Sequence, residues 1–258
     1  MSERVLVPQW PGLPAFVGAL TTLRTGGVSL SPYDDGQGAG GFNLATHVGD
    51  RIGHVRENRR LLAQYLPGEP LWLNQVHGTN VIDFDEPATD DGKMAADACF
   101  TTKPGVICAV QTADCLPVLL CDATTKVVAA AHAGWRGLVQ GVVENTLAKM
   151  QDRGAKPENV MAWLGPAIGP EQFEVGDEVK DLFVAHDASA CSAFLASKHR
   201  PGKFLADIYR LAELRLLRAG VGRIARENCC TVSQPEQFYS YRRDGVTGRM
   251  ASLIWIKG

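Results

Sequence analysis

The chain has 258 residues, of which 45% are hydrophobic, so it is long enough to form one large domain or two small ones around a buried core. Its 26 basic and 28 acidic residues give a net charge of −2 with no basic tract, which argues against nucleic-acid binding driven by phosphate electrostatics. Seven cysteines without regular spacing indicate reduced thiols, and the lack of a signal-peptide core or of an apolar run of about 18 residues predicts a cytoplasmic protein with no membrane span.

In the first half of the chain, residue patterns predict short strands, one helix and glycine-rich loops. The helix is predicted over about 51–66, with Asp50 as its N-terminal cap. Segments 71–76 and 80–84 are predicted to pair as a hairpin that turns at residues 77–79. The other predicted elements are strands at 15–23, 98–101 and 106–111, and loops at 30–42 and 86–97.

The second half opens on a predicted pair of antiparallel strands between residues 112 and 133, followed by a glycine turn into a helix. That helix carries apolar residues at helical spacing after Gly137 and ends at Gly154. Further helices are predicted at 176–186 and 205–219, and further strands at 160–164, 173–175, 221–225, 229–233 and 250–256.

Strands that alternate with helices, together with several hairpins, favour an α/β fold with mixed sheets arranged in layers. The sequence shows no internal repeat and no low-complexity linker. We therefore expect a single domain over residues 1–258.

Three residues that bind metals well lie beside chain-bending positions at predicted strand ends. Cys115 opens the first strand of the antiparallel pair, His132 closes the second, and His77 follows another apolar run. Two histidines and one cysteine suit a zinc site that keeps its fourth position open. The alternative is that Cys115 is a small buried hydrophobe and that the histidines are ordinary core or surface groups.

Three neighbouring residues are candidates for anion binding or proton transfer. Arg136 lies at the start of the predicted helix, where free N–H groups favour anions, and Arg24 precedes a glycine turn. Asp114 is a candidate for orienting a ligand or carrying a proton. The alternatives are a surface cation stacked on Trp135 for Arg136, an exposed turn residue for Arg24, and a strand-start cap for Asp114. We expect the site to open to solvent beside the 26–27 glycine turn and the 135–136 turn.

Several sequence blocks, in order and over most of the chain, resemble the YfiH/laccase-domain family, whose members are also described as multicopper polyphenol oxidases, purine nucleoside phosphorylases or peptidoglycan editing factors. The blocks are RTGGVS (24–29), NLATHVGD (43–50), NQVHG (74–78), TADCLPVLL (112–120), AAHAGWRG (130–137), LGPAIGP (164–170) and SYRRDGVTGRMASLIW (240–255).

The resemblance implies one zinc ion bound by His77, Cys115 and His132. It also implies a single domain with a layered αββα core, similar to the fold of cytotoxic-necrotizing-factor-type deamidases. Asn43, Gln75 and Arg242 lie inside matched blocks and are candidates for substrate binding, with turn formation as their alternative role. His47, in another block, is a candidate for the wall of the cleft.

The number and spacing of the histidines and methionines limit the copper sites that the chain could form, although the family name suggests copper. A multicopper cluster needs His-x-His pairs, and no two of the six histidines are two residues apart. A single copper held by two histidines and one cysteine remains open but is less favoured than zinc, because no methionine lies beside the three residues in sequence.

The leading hypothesis is therefore a zinc enzyme that acts on a nucleoside or nucleotide-linked substrate together with phosphate. The resemblance implies phosphorolysis of adenosine and inosine and deamination of adenosine, or removal of L-serine from UDP-N-acetylmuramoyl-L-serine. Other hypotheses are a hydrolase with Cys115 as nucleophile and His132 as base, a copper polyphenol oxidase, and a metal-binding scaffold without activity. The sequence does not indicate an oligomeric state.

Overall fold

Strands form most of the secondary structure in the computed structural model, which describes residues 4–86 and 95–258. In these residues the strands are β1 (Val5–Leu6), β2 (Val17–Thr22), β3 (Thr25–Ser29), β4 (Leu71–Trp72), β5 (Val81–Asp83), β6 (Ala98–Thr101), β7 (Ile107–Thr112), β8 (Leu116–Asp122), β9 (Val127–Ala133), β10 (Val160–Leu164), β11 (Glu174–Gly176), β12 (Phe194–Ala196), β13 (Lys203–Ala206), β14 (Arg223–Arg226) and β15 (Met250–Ile256). The α-helices are α1 (Ile52–Leu62), α2 (Trp135–Gln140), α3 (Val142–Asp152), α4 (Asp177–His186), α5 (Ile208–Arg218) and α6 (Tyr241–Asp244). Short 3-10 helices cover Ala63–Tyr65, Pro157–Asn159 and Ala188–Ala193.

Most of the strands belong to two mixed sheets. Sheet 1 has the order β1-β2-β15-β7-β4, and sheet 2 has the order β14-β10-β8-β9-β6-β5. Both are largely antiparallel, with parallel pairs at their edges: β4 with β7, β5 with β6, and β10 with β14. A small third sheet has the order β11-β13-β12.

The two large sheets pack face to face and carry helices on their outer faces. Val110 and Ile254 of sheet 1 share an apolar cluster with Leu119 of sheet 2. Residues of α1 cover the other face of sheet 1, and α2 to α5 cover the other face of sheet 2. The predicted layered α/β fold with mixed sheets is therefore confirmed. Strands β8 and β9 are buried along their whole length because they are covered on both faces.

The predicted hairpin between residues 71 and 84 is wrong. β4 pairs with β7 in sheet 1, whereas β5 pairs with β6 in sheet 2. The chain between them, which contains His77, therefore crosses from one sheet to the other. A turn sequence at 77–79 could not distinguish a hairpin from this crossing, because both need a sharp bend between two short strands.

The predicted helix after the antiparallel pair is divided into α2 and α3. The division lies at Gly141, whose φ of 100° is in the left-handed region, so it ends α2 and begins α3. The apolar spacing continues through the break because both helices pack on the same face of sheet 2.

Three smaller predictions also differ from the structure. Arg51, and not Asp50, is the N-terminal cap of α1, and Asp50 accepts hydrogen bonds from Ser29 and Asn43 instead. The helix predicted at 205–219 begins at Ile208, because residues before it form β13. The segment 229–233 forms a turn and not a strand.

Most of the acidic loop predicted at 86–97 lies outside the described residues. Within residues 4–86 and 95–258, no helix combines the length and the apolar character needed to cross a membrane.

Candidate metal centre

The three predicted ligand residues meet at one edge of the two packed sheets. Cys115 lies on the short connection from β7 in sheet 1 to β8 in sheet 2, and His77 lies on the crossing from β4 to β5. His132 is near the end of β9, opposite Pro117 of β8 in the antiparallel register. Ligand atoms of the three side chains all lie within 4.8 Å of one another, so the predicted convergence is confirmed.

The three side chains differ in their exposure to solvent. His77 is exposed, Cys115 is partly exposed, and His132 is buried. The Sγ atom of Cys115 lies 3.9 Å from Nε2 of His77, and the two imidazole rings meet edge to face with centroids 4.8 Å apart. One thiolate and two imidazoles that meet near solvent fit a metal ion with three protein ligands and one open position.

Asp97, which was not among the residues predicted from the sequence, organises the site. Its fully buried carboxylate accepts hydrogen bonds from the backbone N–H groups of Val76, His77 and Gly78, at 3.2, 2.9 and 2.6 Å. It also lies 2.8 Å from Nδ1 of His132. Because an ionised carboxylate only accepts hydrogen bonds, Nδ1 of His132 is the donor and Nε2 is free to bind a metal. The one sequence signal for Asp97 is an acidic residue directly before an apolar strand.

Charges within the site shift the pKa values of its members in the metal-free chain. Burial alone would raise the pKa of Asp97, but the hydrogen bonds from His132 and from the backbone outweigh it and lower that pKa. Burial also opposes ionisation of Cys115, yet His132 and His77 lower its thiol pKa to about 6. Burial disfavours the His132 imidazolium, whereas the charge of Cys115 and the hydrogen bond to Asp97 raise its pKa to about 9. The thiol is thus biased towards the thiolate, which is the form that binds metals.

Asp114 shapes the backbone beside Cys115. Its φ of 91° lies in the left-handed region, which a residue with a side chain adopts only where the surroundings hold it. The carboxylate accepts hydrogen bonds of 2.6 Å from the Thr231 hydroxyl and from the backbone N–H of Arg242, and the Asp114 carbonyl accepts one from Ile168 N–H at 2.9 Å. Asp114 therefore connects the Cys115 corner to three later segments of the chain.

Two cavities meet at the ligand residues, and both include His77, Cys115 and Tyr241. We call the first the histidine cleft; it has a volume of about 430 Å³ and is also lined by His47, Gln75, Gln111, His132 and Arg249. We call the second the aromatic cleft; it has a volume of about 230 Å³ and is also lined by Trp135, Arg136, Ile208, Phe173 and Arg242.

Arg136 and Arg242 both border the aromatic cleft. The Arg136 guanidinium is exposed and lies 4.4 Å from the centre of the Trp135 ring. Arg242 is also exposed; its Nη1 donates hydrogen bonds to the carbonyls of Gln172 and Glu174, and its guanidinium lies 5.7 Å from the Phe173 ring. Residues 135–136 begin α2 and do not form a turn. The opening predicted beside them is present as the aromatic cleft.

Gln75 borders the histidine cleft, where its side chain is bound to one neighbouring residue. It donates from Nε2 to the Gln111 carbonyl at 2.8 Å and accepts from Gln111 N–H at 2.7 Å. The Gln75 side chain thereby connects the segment after β4 to Gln111 near the end of β7.

Asn43 and Arg24 line neither cleft. The Asn43 amide is fully buried and binds Asp50 and the backbone of Ala45 and Arg249. The Arg24 guanidinium is buried, donates to the carbonyls of Asp34 and Pro235, and lies 5.0 Å from the Tyr239 ring. Residues 26–27 lie in β3 and not in the predicted turn. The opening expected beside them was argued from Arg24, and neither cleft includes a residue of that segment.

The clefts also include residues that were not singled out from the sequence, among them Gln111, Phe173, Tyr241 and Arg249. Tyr241 and Arg249 lie inside a block that carried the family resemblance. The block as a whole indicated a functional region, but it did not distinguish these two residues from their neighbours. Gln111 is 6% exposed and donates from its side chain to the Leu44 carbonyl at 3.0 Å.

In residues 4–86 and 95–258, the His77, Cys115 and His132 group is the one set of at least three His, Cys, Asp or Glu residues close enough to share a metal. The fold and this group together define the class: a layered α/β protein with mixed sheets and a three-residue metal-binding group where the chain crosses between sheets. The chain belongs to the family described as multi-copper polyphenol oxidoreductase laccase, whose model matches residues 18–257.

Similar proteins occur in several bacteria and align over nearly their whole length. The chain is 50% identical over 257 residues to the protein named purine nucleoside phosphorylase YfiH from Escherichia coli strain K12, with 98% of this chain and 99% of that protein covered. It is 49% identical over 252 residues to purine nucleoside phosphorylase PA4543 of Pseudomonas aeruginosa, with 98% of each covered.

Solved structures share the fold. The crystal structure of Neisseria meningitidis protein NMB0706 matches with a TM-score of 0.90 and 48% identity, over 99% of this chain and 100% of that chain. The crystal structure of YlmD from Geobacillus stearothermophilus matches with a TM-score of 0.85 and 29% identity, over 100% of this chain and 98% of that chain.

Proposed function

We propose that this chain is a zinc-dependent enzyme that cleaves purine nucleosides with phosphate. The observation that carries the proposal is the position of the ligand group, which lies at the junction of two cavities of different chemistry. Two relatives that share about half of their residues with this chain are named purine nucleoside phosphorylases, which supports the same reaction class.

The donor set favours zinc. Two imidazoles and one thiolate are borderline-soft ligands that zinc accepts in a tetrahedral site with one open position. The buried carboxylate of Asp97, hydrogen-bonded to the far nitrogen of His132, is a common second partner of a zinc-binding histidine. Bound zinc would act as a Lewis acid that polarises a phosphate or water oxygen near the ligand group.

The aromatic cleft suits the nucleoside. The rings of Phe173, Trp135 and Tyr241 offer apolar surface for a flat heterocycle, and Arg136 and Arg242 at its border offer donors for polar groups. The histidine cleft, which adjoins the same ligand residues, then holds the phosphate. Asp114 positions both regions, because it holds the Cys115 corner and the start of α6 together.

In this reaction a phosphate oxygen forms a bond to C1′ of the sugar, the bond between C1′ and the purine nitrogen breaks, and the proton lost by phosphate ends on the purine. The chain contributes by holding the reactants in line and by excluding water from the bond that breaks. Asp97 keeps the proton of His132 on Nδ1, so that this histidine serves as a metal ligand.

A Cys–His hydrolase is the second candidate, and one observation favours it. In the metal-free chain, the thiol pKa of about 6 at Cys115 and the imidazole pKa of about 9 at His132 describe a thiolate beside an imidazolium. Such a pair supplies a nucleophile without a metal. The two candidates differ in the role of His77, which binds the metal in the first and is dispensable in the second.

Activity should be measured against bound zinc in the unaltered protein, during a chelator titration followed by zinc addition. The substrates are adenosine and inosine, each with and without phosphate, and UDP-N-acetylmuramoyl-L-serine. Release of free purine that requires phosphate supports phosphorolysis. Inosine formed from adenosine, or serine released from the nucleotide substrate, would instead assign deamination or peptidoglycan-precursor editing to the site.

Two variants test the zinc mechanism. We expect His77→Ala and Cys115→Ser to lose zinc and activity together, whereas His186→Ala and Cys191→Ser, which lie outside the site, retain both. Substantial activity of His77→Ala without metal, with inactivation by an alkylating agent at Cys115, would establish the Cys–His mechanism in place of the zinc one.

A further inference from the structure

Arg249 is a half-buried cation in the histidine cleft that has no carboxylate partner among residues 4–86 and 95–258. It lies directly before β15, whose first residue, Met250, is opposite Thr112 at the end of β7. Arg249 therefore lies beside the connection that carries Cys115. An arginine removed from water without a carboxylate partner is costly unless an anion completes its environment.

The guanidinium of Arg249 is held in one orientation by its own turn. Its Nη1 donates hydrogen bonds of 2.9 Å to the carbonyls of Thr247 and Gly248. Its backbone N–H donates to Oδ1 of the buried Asn43 at 3.0 Å. A side chain at Gly248 would lie 2.6 Å from the Tyr239 ring, so the turn is closely packed as well as hydrogen-bonded.

The remaining donors of Arg249 are free for a ligand. A guanidinium carries five N–H groups, and in the described residues those on Nε and Nη2 have no acceptor. Nε and Nη2 form one side of the planar fork, which matches two oxygens of a phosphate or carboxylate group.

The side chains of Tyr241 and His47 lie near Arg249 in the histidine cleft, and neither of them is a carboxylate. The Tyr241 ring centre lies 5.9 Å from the guanidinium, and His47 lines the same cleft. Burial, and then the charges of Arg249 and Arg59, lower the pKa of His47 and so disfavour its imidazolium form. Burial also lowers the pKa of Arg249, whereas the charges of Cys115 and Asp114 raise it, and an arginine remains charged in either case.

We propose that Arg249 forms an oxyanion subsite in the histidine cleft and binds a phosphate group beside the ligand residues. As the binding site for the phosphate co-substrate, the subsite rests on the proposed phosphorolysis. The residues that hold Arg249, above all Asn43, are positioning residues of this subsite. Neither Arg136 nor Arg242 offers the same environment, since both are exposed and both border the other cleft.

The direct test is calorimetric titration of inorganic phosphate into the zinc-loaded protein at low salt. We expect Arg249→Met to weaken phosphate binding about 10- to 100-fold, because two charge-assisted hydrogen bonds are lost. Arg249→Lys keeps the charge but lacks the fork, so its affinity should lie between those of Arg249→Met and the unaltered protein. The matched control is Arg56→Met, which removes an exposed arginine of α1.

Zinc content and circular dichroism establish whether each variant is folded. If Arg249→Met fails to fold, Arg249→Lys carries the test alone. Phosphate affinity within about twofold of the unaltered protein in every folded Arg249 variant would overturn the subsite.

Kinetics provide an independent readout. The Arg249 variants should raise KM for phosphate by a larger factor than KM for the nucleoside. An equal rise in both, or a fall in kcat alone, would contradict a phosphate-binding role.

The source of the phosphate group is resolved by a second titration with uridine diphosphate. Arg249-dependent binding of inorganic phosphate supports a free co-substrate, whereas Arg249-dependent binding of uridine diphosphate alone supports a phosphate carried by a nucleotide-linked substrate. A protein that binds phosphate through Arg249 but phosphorolyses no nucleoside would retain the subsite and lose the proposed reaction.

Discussion

At the scale of single residues, the carboxylate of Asp97 connects two of the three candidate ligands. It holds the backbone of the crossing that carries His77 and, through Nδ1, the ring of His132. His77 itself has a φ of 60°, in the left-handed region, and its N–H is one of the three that Asp97 accepts. The geometry of the group thus depends on a residue that does not belong to it.

We predict that Asp97→Asn weakens zinc binding about 10- to 100-fold, the usual effect of losing the partner of a metal-binding histidine. An amide supplies one acceptor oxygen where the carboxylate supplies two, so the crossing also loses hydrogen bonds. Zinc affinity is measured by competition with a chromogenic chelator. Asp152→Asn, at an exposed position of α3, is the control. Unchanged zinc affinity in a folded Asp97→Asn protein would show that Asp97 acts only on stability.

At the scale of elements, two crossings and one helix break position the site. Two of the connections between the sheets, β4 to β5 and β7 to β8, bring a candidate ligand to the same edge, and the break at Gly141 lets α2 and α3 cover one face of sheet 2. A Cβ at Gly141 would lie 3.7 Å from its nearest neighbour and would not clash. Glycine is therefore favoured at this position by the left-handed φ and not by lack of space.

We predict opposite effects for two Gly→Ala substitutions. Gly141→Ala forces alanine into the left-handed region and should lower the free energy of unfolding by about 1–2 kcal/mol. Gly53→Ala, in the first turn of α1 where a Cβ has open space, should raise it by about 0.4–1 kcal/mol by restricting the unfolded chain. Urea unfolding measures both. A Gly141→Ala protein as stable as the unaltered one would contradict the proposed conformational need at this break.

At the scale of the whole molecule, the ligand group joins the parts of the fold. It takes one residue from a strand of sheet 2, one from the connection between β4 and β5, and one from the connection between β7 and β8. We propose that a metal bound by this group would hold the edges of both sheets together and that the chain unfolds as a single domain.

We predict that zinc stabilises the entire protein. At free zinc 100 times the dissociation constant, the free energy of unfolding should rise by about 2.7 kcal/mol, which corresponds to roughly 5–10 °C in Tm. Thermal unfolding is followed by circular dichroism and by tryptophan fluorescence, with zinc and with chelator. The shift should vanish in His77→Ala and persist in His186→Ala. Two separate transitions in the unaltered protein would contradict the single-domain proposal.

Local patterns were sufficient for much of the fold and for the ligand group. The apolar runs on either side of the turn between β8 and β9 predicted an antiparallel pair, and that pair alone brings Cys115 near His132. The layered fold followed from alternating strands and helices, because each must cover an apolar face. His77 was predicted as a ligand from its residue type and from the resemblance, even though the hairpin expected around it was wrong.

The tertiary structure decided which polar residues serve the site and which serve the fold. Asp97 and His132 are 35 residues apart, and Arg249 and Asn43 are 206 apart, so no local pattern relates either pair. Arg24 and Asn43 have residue types suited to substrate binding, yet both are buried among backbone groups that need partners. The residues packed around a polar side chain determine whether it binds a ligand or a backbone group. Those contacts exist only in the folded chain.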